Sequence, residues 1–151
     1  MTARNIAAIL GLLILCLAAN SASAQNSFES VNFPGLYIRH AYSLGELTRI
    51  NTPLDRADAT FLVRPALSGP PGAVSFESVN YPNHFLRHQN FRVKLHQGDG
   101  SDLFNKDASF IPRAGVAGGI SYESVNFPGR FLRHRDYHLC ACQRPWRRNA
   151  T

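Results

Sequence analysis

Cysteine is scarce in this chain, acidic residues are outnumbered, and no long apolar run follows residue 24. Cys16 sits in the leader segment discussed below, which leaves Cys140 and Cys142. With His134 and His138 they can be drawn as a zinc set, but Cys-x-Cys is tighter than the usual two-to-four-residue gap, and thiols of an exported chain tend to oxidise. A Cys140–Cys142 disulfide would close a very small ring, so intermolecular pairing and free thiols stand beside it as alternatives. No metal or other cofactor is expected. Gly-x-Ser-x-Gly and the phosphate-cradling glycine patterns are also absent, which removes the usual signatures of acyl-transfer and nucleotide enzymes.

Asp and Glu total 10 against 16 Lys and Arg, a formal net charge of +6. A basic surface attracts nucleic acid, acidic glycans or membrane over long range, but it is not a site. Much of the excess lies in Arg144, Arg147 and Arg148, which read as a solvated tail. No nucleic-acid partner is therefore expected. The one apolar run, Ile6 to Ala19, follows Arg4 and precedes the small-residue site Ala22-Ser23-Ala24. That order is an export signal and not a membrane span. The expected organisation is a signal peptide over 1–24, one domain over 25–139 and a divergent basic tail over 140–151. The mature chain would be secreted, extracellular or periplasmic, with no membrane partner.

What the chain does have is one motif written three times. Ser27 to His40 reads SFESVNFPGLYIRH, Ser75 to His88 reads SFESVNYPNHFLRH and Ser121 to His134 reads SYESVNFPGRFLRH. Repetition on this scale marks units that cannot bury their apolar faces alone. Within each copy, Ser-aromatic-Glu-Ser-Val reads as a strand. Pro followed by Gly35, Asn83 or Gly129 is type II turn chemistry, because the residue after Pro must tolerate a positive φ. A return strand then ends in Arg-His. In the second unit Gln89 to Leu95 reads as an alternating strand with Phe91, Val93 and Leu95 on one face. Gln97 to Asp102 reads as a loop, and Asp107-Ala-Ser-Phe-Ile-Pro-Arg113 as a fourth strand, matched by Asp58-Ala-Thr-Phe-Leu-Val-Arg64 in the first unit. Four strands per unit in three units, spanning 27–67, 75–114 and 121–139 with no helical period, predict an all-β fold: a β-trefoil whose third repeat is incomplete. That third unit carries no Asp-Ala-Thr-Phe segment, and the loss of pattern after Leu139 suggests a truncation or frame change. A missing half-unit would expose core and strand edges, so self-association is expected.

Two polar residues recur beyond what turns require, the His closing the second strand and the Asp opening the fourth. His40 with Asp58, and His88 with Asp107, can meet in a compact unit. A carboxylate beside an imidazole clamps neighbouring sugar hydroxyls, and Tyr81 and Phe91 in the same unit can wall the sugar's C–H face. The bland alternative is an Asx turn at the Asp and a backbone hydrogen bond at the His. Glu29, Glu77 and Glu123 are expected to bind backbone or to pair with Arg39, Arg87 and Arg133. A glycosidase would need two carboxylates flanking one bond, as Glu77 and Asp107 can be drawn, but the same pair recurs at Glu29 and Asp58, which suits binding better than catalysis.

At these residues the sequence resembles the AbfB-type domain, the arabinofuranose-binding carbohydrate-binding module that accompanies the catalytic domains of α-L-arabinofuranosidases. The resemblance rests on SFESVNYPNHFLRH followed by Asp107-Ala-Ser-Phe and runs to about Leu139. It implies a β-trefoil with up to three shallow pockets for terminal arabinofuranose side chains of arabinoxylan or arabinan, plant cell-wall polysaccharides. It implies a non-catalytic role, with His88 and Asp107, and His40 and Asp58, as ligand-binding residues. His134 is supplied without a matching Asp, so the third pocket is expected to be crippled. The alternatives are an accessory fragment of an α-L-arabinofuranosidase and a basic trefoil for acidic glycans. Arabinose has about ten heavy atoms, and at roughly 0.3–0.4 kcal/mol each one pocket gives about millimolar affinity. Multiplicity would tighten this.

Overall fold

The computed structural model of the protein describes residues 24–143. The expected export signal, apart from Ala24, and the arginine-rich residues after Gln143 lie outside the described residues. In chain order a short strand β1 (Gln25–Asn26) leads into β2 (Tyr37–Ala41), β3 (Leu44–Thr48), helix α1 (Pro53–Asp58) and β4 (Phe61–Pro65). The second copy of the motif forms β5 (Val74–Ser78) and β6 (His84–Gln89), followed by β7 (Arg92–Gln97), helix α2 (Asp102–Asp107) and β8 (Phe110–Ala114). The third gives β9 (Ile120–Ser124), β10 (Arg130–Arg135) and β11 (His138–Gln143).

The all-β expectation holds, but the β-trefoil does not. Strands β5, β6, β7, β3, β11, β10, β9 and β8 pair in that order, and β5 pairs with β8, so eight strands close into an antiparallel barrel. Strands β1, β2 and β4 are additions to it. The physical reason is that several strands, β4 and β8 foremost, pair across unit boundaries as well as within them. Strand β4 pairs with β5 over five residues, from Phe61↔Ser78 to Pro65↔Val74. Strand β8 pairs with β9 over five, from Phe110↔Ser124 to Ala114↔Ile120. Inside the motif the two arms share a single register pair, Glu77↔Phe85 in one copy and Phe131↔Glu123 in another.

The motif turn is formed as its chemistry predicts. Gly35, Asn83 and Gly129 have φ of 84°, 60° and 83°, and His84 N donates to Tyr81 O at 3.1 Å across the turn. A second, tighter hairpin lies just beyond each motif. Tyr42 and Ser43, Asn90 and Phe91, and Asp136 and Tyr137 all have positive φ, the backbone of a type I′ turn. Phe91 therefore belongs to a turn and not to an alternating strand with Val93 and Leu95.

Two short helices also replace expected loop and strand entrance. Thr52 caps α1 reciprocally: Asp55 N donates to Thr52 Oγ1 at 3.1 Å and Thr52 N to Asp55 Oδ2 at 3.1 Å, with Pro53 in the first turn. Ser101 Oγ caps α2 by accepting from Phe104 N at 3.1 Å. Phe104 is buried against Phe85. Asp58 and Asp107 consequently end helices; they do not open strands.

The core is built from repeat-related side chains. Phe28, Phe76 and Tyr122, the second residue of each motif copy, touch one another with ring centroids 4.9–5.9 Å apart. Phe61, Leu86, Val93, Leu95, Phe110 and Leu139 surround them. Burying large aromatic and aliphatic groups at about 25 cal/mol per Å² is the main favourable term holding the barrel closed. Cys140 and Cys142 continue strand β11 and are joined to each other.

Candidate functional site

His40 ends up at a boundary between copies because β2 carries it inward, next to the start of the following motif. Its Nε2 lies 3.1 Å from Ser78 Oγ, 3.1 Å from Asn80 Oδ1 and 3.6 Å from Asp58 Oδ1. Asn80 Nδ2 donates to Asp58 Oδ1 at 2.7 Å. Tyr81, half exposed, stands edge-on to the imidazole at 5.4 Å. The sequence therefore brings His40 and Asp58 together as anticipated, but Tyr81 walls His40 and not the His88 of its own copy.

The same arrangement recurs one unit later. His88 Nε2 is 3.0 Å from Ser124 Oγ and 3.6 Å from Asp107 Oδ1, and Asn126 Nδ2 donates to Asp107 Oδ1 at 2.7 Å. Phe127 meets the imidazole at 5.3 Å and Phe91 stacks beside it at 6.3 Å. Phe91 also touches Phe127 at 5.1 Å, and the Arg130 guanidinium lies 3.8 Å over the Phe91 ring.

The two clusters differ in what holds the carboxylate. Arg87 Nη2 donates to Asp107 Oδ2 at 2.8 Å. In the first cluster the corresponding Arg39 pairs with Asp55 instead, so Asp58 has Asn80 and His40 beside it without that arginine. The side walls differ too, since Ser43 occupies the turn position filled by Phe91 and Tyr137 elsewhere.

At the third boundary His134 lies between Phe33, 5.0 Å away, and Tyr137, stacked at 6.2 Å. Among the described residues no carboxylate forms an ion pair with it, Asp136 acting only at longer range, and its Nδ1 is buried without a hydrogen-bond partner. A hollow of about 470 Å³ lined by Asn32, Phe33, Leu36, Leu47, Arg49 and Tyr137 opens beside this boundary.

Burial pushes the His40 and His88 imidazoles below their ordinary pKa, against the opposing pull of Asn80 and Asp58 on the first and of Asp107 on the second. Both rings are therefore neutral near pH 7. A neutral imidazole offers one donor and one acceptor nitrogen, and a carboxylate has four lone-pair sites, so each cluster keeps capacity for hydroxyls. The Asp58 and Asp107 carboxylates accept from Asn80 and Asn126, and the Nε2 atoms of both histidines meet side chains.

The repeated glutamates have a structural task. Glu29, Glu77 and Glu123 each accept the turn N–H, from Gly35, Asn83 and Gly129 at 2.6, 2.8 and 2.8 Å. Their arginine partners are not those expected. Glu77 pairs with Arg64 and Glu123 with Arg113, at 2.7 and 2.8 Å, across the β4–β5 and β8–β9 ladders. Burial raises the Glu77 pKa, but the Asn83 N–H and Arg64 outweigh it and hold the carboxyl below its usual range. Sequence reasoning missed Ser78, Ser124, Asn80 and Asn126. Their signal was recurrence in all three copies, in excess of what a turn needs.

A family model described as the alpha-L-arabinofuranosidase B (ABFB) domain matches residues 26–144. The chain belongs to the AbfB family. No curated protein matches it. Among solved structures it is similar to a mutant GH54 α-L-arabinofuranosidase soaked with 4-nitrophenyl α-L-arabinofuranoside, at 28% identity and TM-score 0.76, covering 82% of this chain and 27% of that one. It is equally similar to an arabinofuranosidase complexed with arabinofuranosyl-α-1,2-xylobiose, at 28% identity and TM-score 0.76, covering 80% of this chain and 26% of that one. The AbfB chain thus spans about a quarter of those enzymes. The AbfB domain is the non-catalytic, carbohydrate-binding part of arabinofuranosidases.

Proposed function

We propose that this AbfB module is secreted and holds terminal arabinofuranose side chains of arabinoxylan or arabinan, without cleaving them. The observation that carries the reading is the duplicated cluster of buried imidazole and carboxylate with a half-buried amide beside an exposed aromatic, His40–Asp58–Asn80–Tyr81 and His88–Asp107–Asn126–Phe127. A furanose has an apolar C–H face for the ring and adjacent hydroxyls for the polar groups. The related arabinofuranosidase complexed with arabinofuranosyl-α-1,2-xylobiose supports xylan-borne arabinose as the ligand class. Residues 1–24 support export, through their basic start, apolar run and Ala-Ser-Ala end.

Catalysis has little support in these clusters. Glu77, the carboxylate that can be drawn with Asp107 as a catalytic pair, is instead engaged by a turn N–H and by Arg64. The test is co-sedimentation with insoluble wheat arabinoxylan and with the same xylan stripped of arabinose. Binding to the first and not the second is the expected result. Equal binding to both, or steep loss of binding with salt, would move the reading to the xylan backbone or to charge.

A further inference from the structure

Two of the three motif copies have a partner strand along their outer edge, and the third lacks one among the described residues. In the β4–β5 ladder Phe61 faces Ser78 and Leu62 faces Glu77. In β8–β9 Phe110 faces Ser124 and Ile111 faces Glu123. Each incoming strand reads Asp-Ala-Ser/Thr-Phe-x-x-Arg, and each Arg meets the motif Glu. The same strands also touch the start of their own unit, Asn26↔Phe61 and Val74↔Phe110.

In the first copy Glu29 bridges to Tyr37, as Glu77 does to Phe85. Its Oε1 takes the Gly35 N–H, but no described arginine occupies its other oxygen, and the residue is exposed. The other wall of the same gap would be Ile120, the counterpart of Asn26 and Val74, which is 63% exposed. The slot therefore has both edges and the acidic partner, Glu29 and Ile120 both being exposed.

We infer that this slot binds an extended segment supplied by another polypeptide, of sequence pattern Asp-Ala-Ser/Thr-Phe-x-x-Arg. The strand pairs with residues 27–30 in the register of β4 on β5, setting its Phe opposite Ser30 and its Arg opposite Ser27, from where the guanidinium reaches Glu29 as Arg64 reaches Glu77. This is strand addition, in which main-chain hydrogen bonds give affinity and alternate side chains give specificity. Its Asp would enter beside Asn32 and His134, as Asp58 enters beside Asn80 and His40. That the completed cluster then holds sugar rests on the function proposed above; strand binding does not.

The probe is a peptide copying residues 105–113, Asn-Lys-Asp-Ala-Ser-Phe-Ile-Pro-Arg, titrated calorimetrically into the full chain without sugar. Saturable binding of one peptide per chain is expected. Changing the peptide's Arg113→Glu should weaken it at least tenfold. Glu29→Gln, which keeps an acceptor for the Gly35 N–H, should weaken it several-fold. Glu29→Arg in the chain should restore the Arg113→Glu peptide. Absence of saturable binding, or binding indifferent to both charges, overturns the inference. Binding that emerges only after removal of residues 144–151 also overturns it, since the chain's own tail would then fill the slot. An arabinoxylan result of either sign leaves these outcomes unaffected.

Discussion

Tyr81 stands edge-on to His40, ring centroids 5.4 Å apart, although one belongs to the second motif copy and the other to the first. Phe127 takes the same position against His88. Each pocket therefore draws its imidazole and carboxylate from one copy and its aromatic and amide from the next. A substitution in one copy consequently acts on two units.

That sharing gives a crossed mutational pattern. Tyr81→Ala should weaken the His40–Asp58 pocket and spare the His88–Asp107 pocket, and Phe127→Ala should do the reverse. An aromatic contact of this kind contributes about 0.5–1.5 kcal/mol, so each affinity should fall roughly two- to tenfold. Site-resolved NMR titration with methyl α-L-arabinofuranoside checks it. If Tyr81→Ala instead weakened the His88 pocket, the across-boundary assignment would be wrong.

The two carboxylates should differ in their cost to stability. Asp107→Ala leaves the largely buried Arg87 side chain without its ion-pair partner, a loss of about 3 kcal/mol. Asp58→Ala removes a partner of Asn80 and His40 but strands no arginine, because Arg39 pairs with Asp55. Its cost should be about 1–2 kcal/mol. Urea denaturation of both variants measures the gap, and equal costs would contradict it.

Much of this was legible in the sequence, and what was not has identifiable causes. Pro82-Asn83 announced its turn because few residues accept positive φ. The convergence of each His with its Asp followed from their recurrence at near-constant spacing. The barrel was hidden because spacing within a copy says nothing about which neighbour a strand pairs with, and here β4 and β8 pair along their length with the next copy. The helices escaped notice because six residues are too few to show a 3.6-residue period. Phe91 reads as a strand residue because an aromatic in a type I′ turn gives no local signal. Tyr81 and Asn80 give no sequence sign of their neighbour His40 for the same reason as the barrel: it lies in another copy.

Acidification should destabilise the fold. His40 and His88 have pKa values lowered by burial in the folded state, so between those values and the ordinary 6.5 the unfolded chain binds more protons. Stability then rises with pH across this window and is fully present above about pH 6.5. Thermal melts from pH 7.5 down to 5 should show a plateau and then a falling Tm. A Tm that climbed as pH dropped from 6.5 would contradict the buried neutral imidazoles.

The aromatic triangle sets the core. Phe76→Ala removes the ring that touches both Phe28 and Tyr122 and should cost about 3–5 kcal/mol. Phe76→Leu, keeping more volume, should cost much less. Denaturant midpoints distinguish them, and a small loss for Phe76→Ala would show that the barrel does not depend on this contact.

The central claim is that arabinofuranose is held where one motif copy meets the next. The most direct measurement follows the side-chain amide resonances of Asn80 and Asn126 by ¹H–¹⁵N NMR while methyl α-L-arabinofuranoside is added. Both amides donate to the pocket carboxylates, and both should shift saturably, with Asp58→Ala and Asp107→Ala each abolishing the response of its own partner. Saturable shifts confined to other surfaces, with these two amides unmoved, would place the sugar elsewhere and contradict the account.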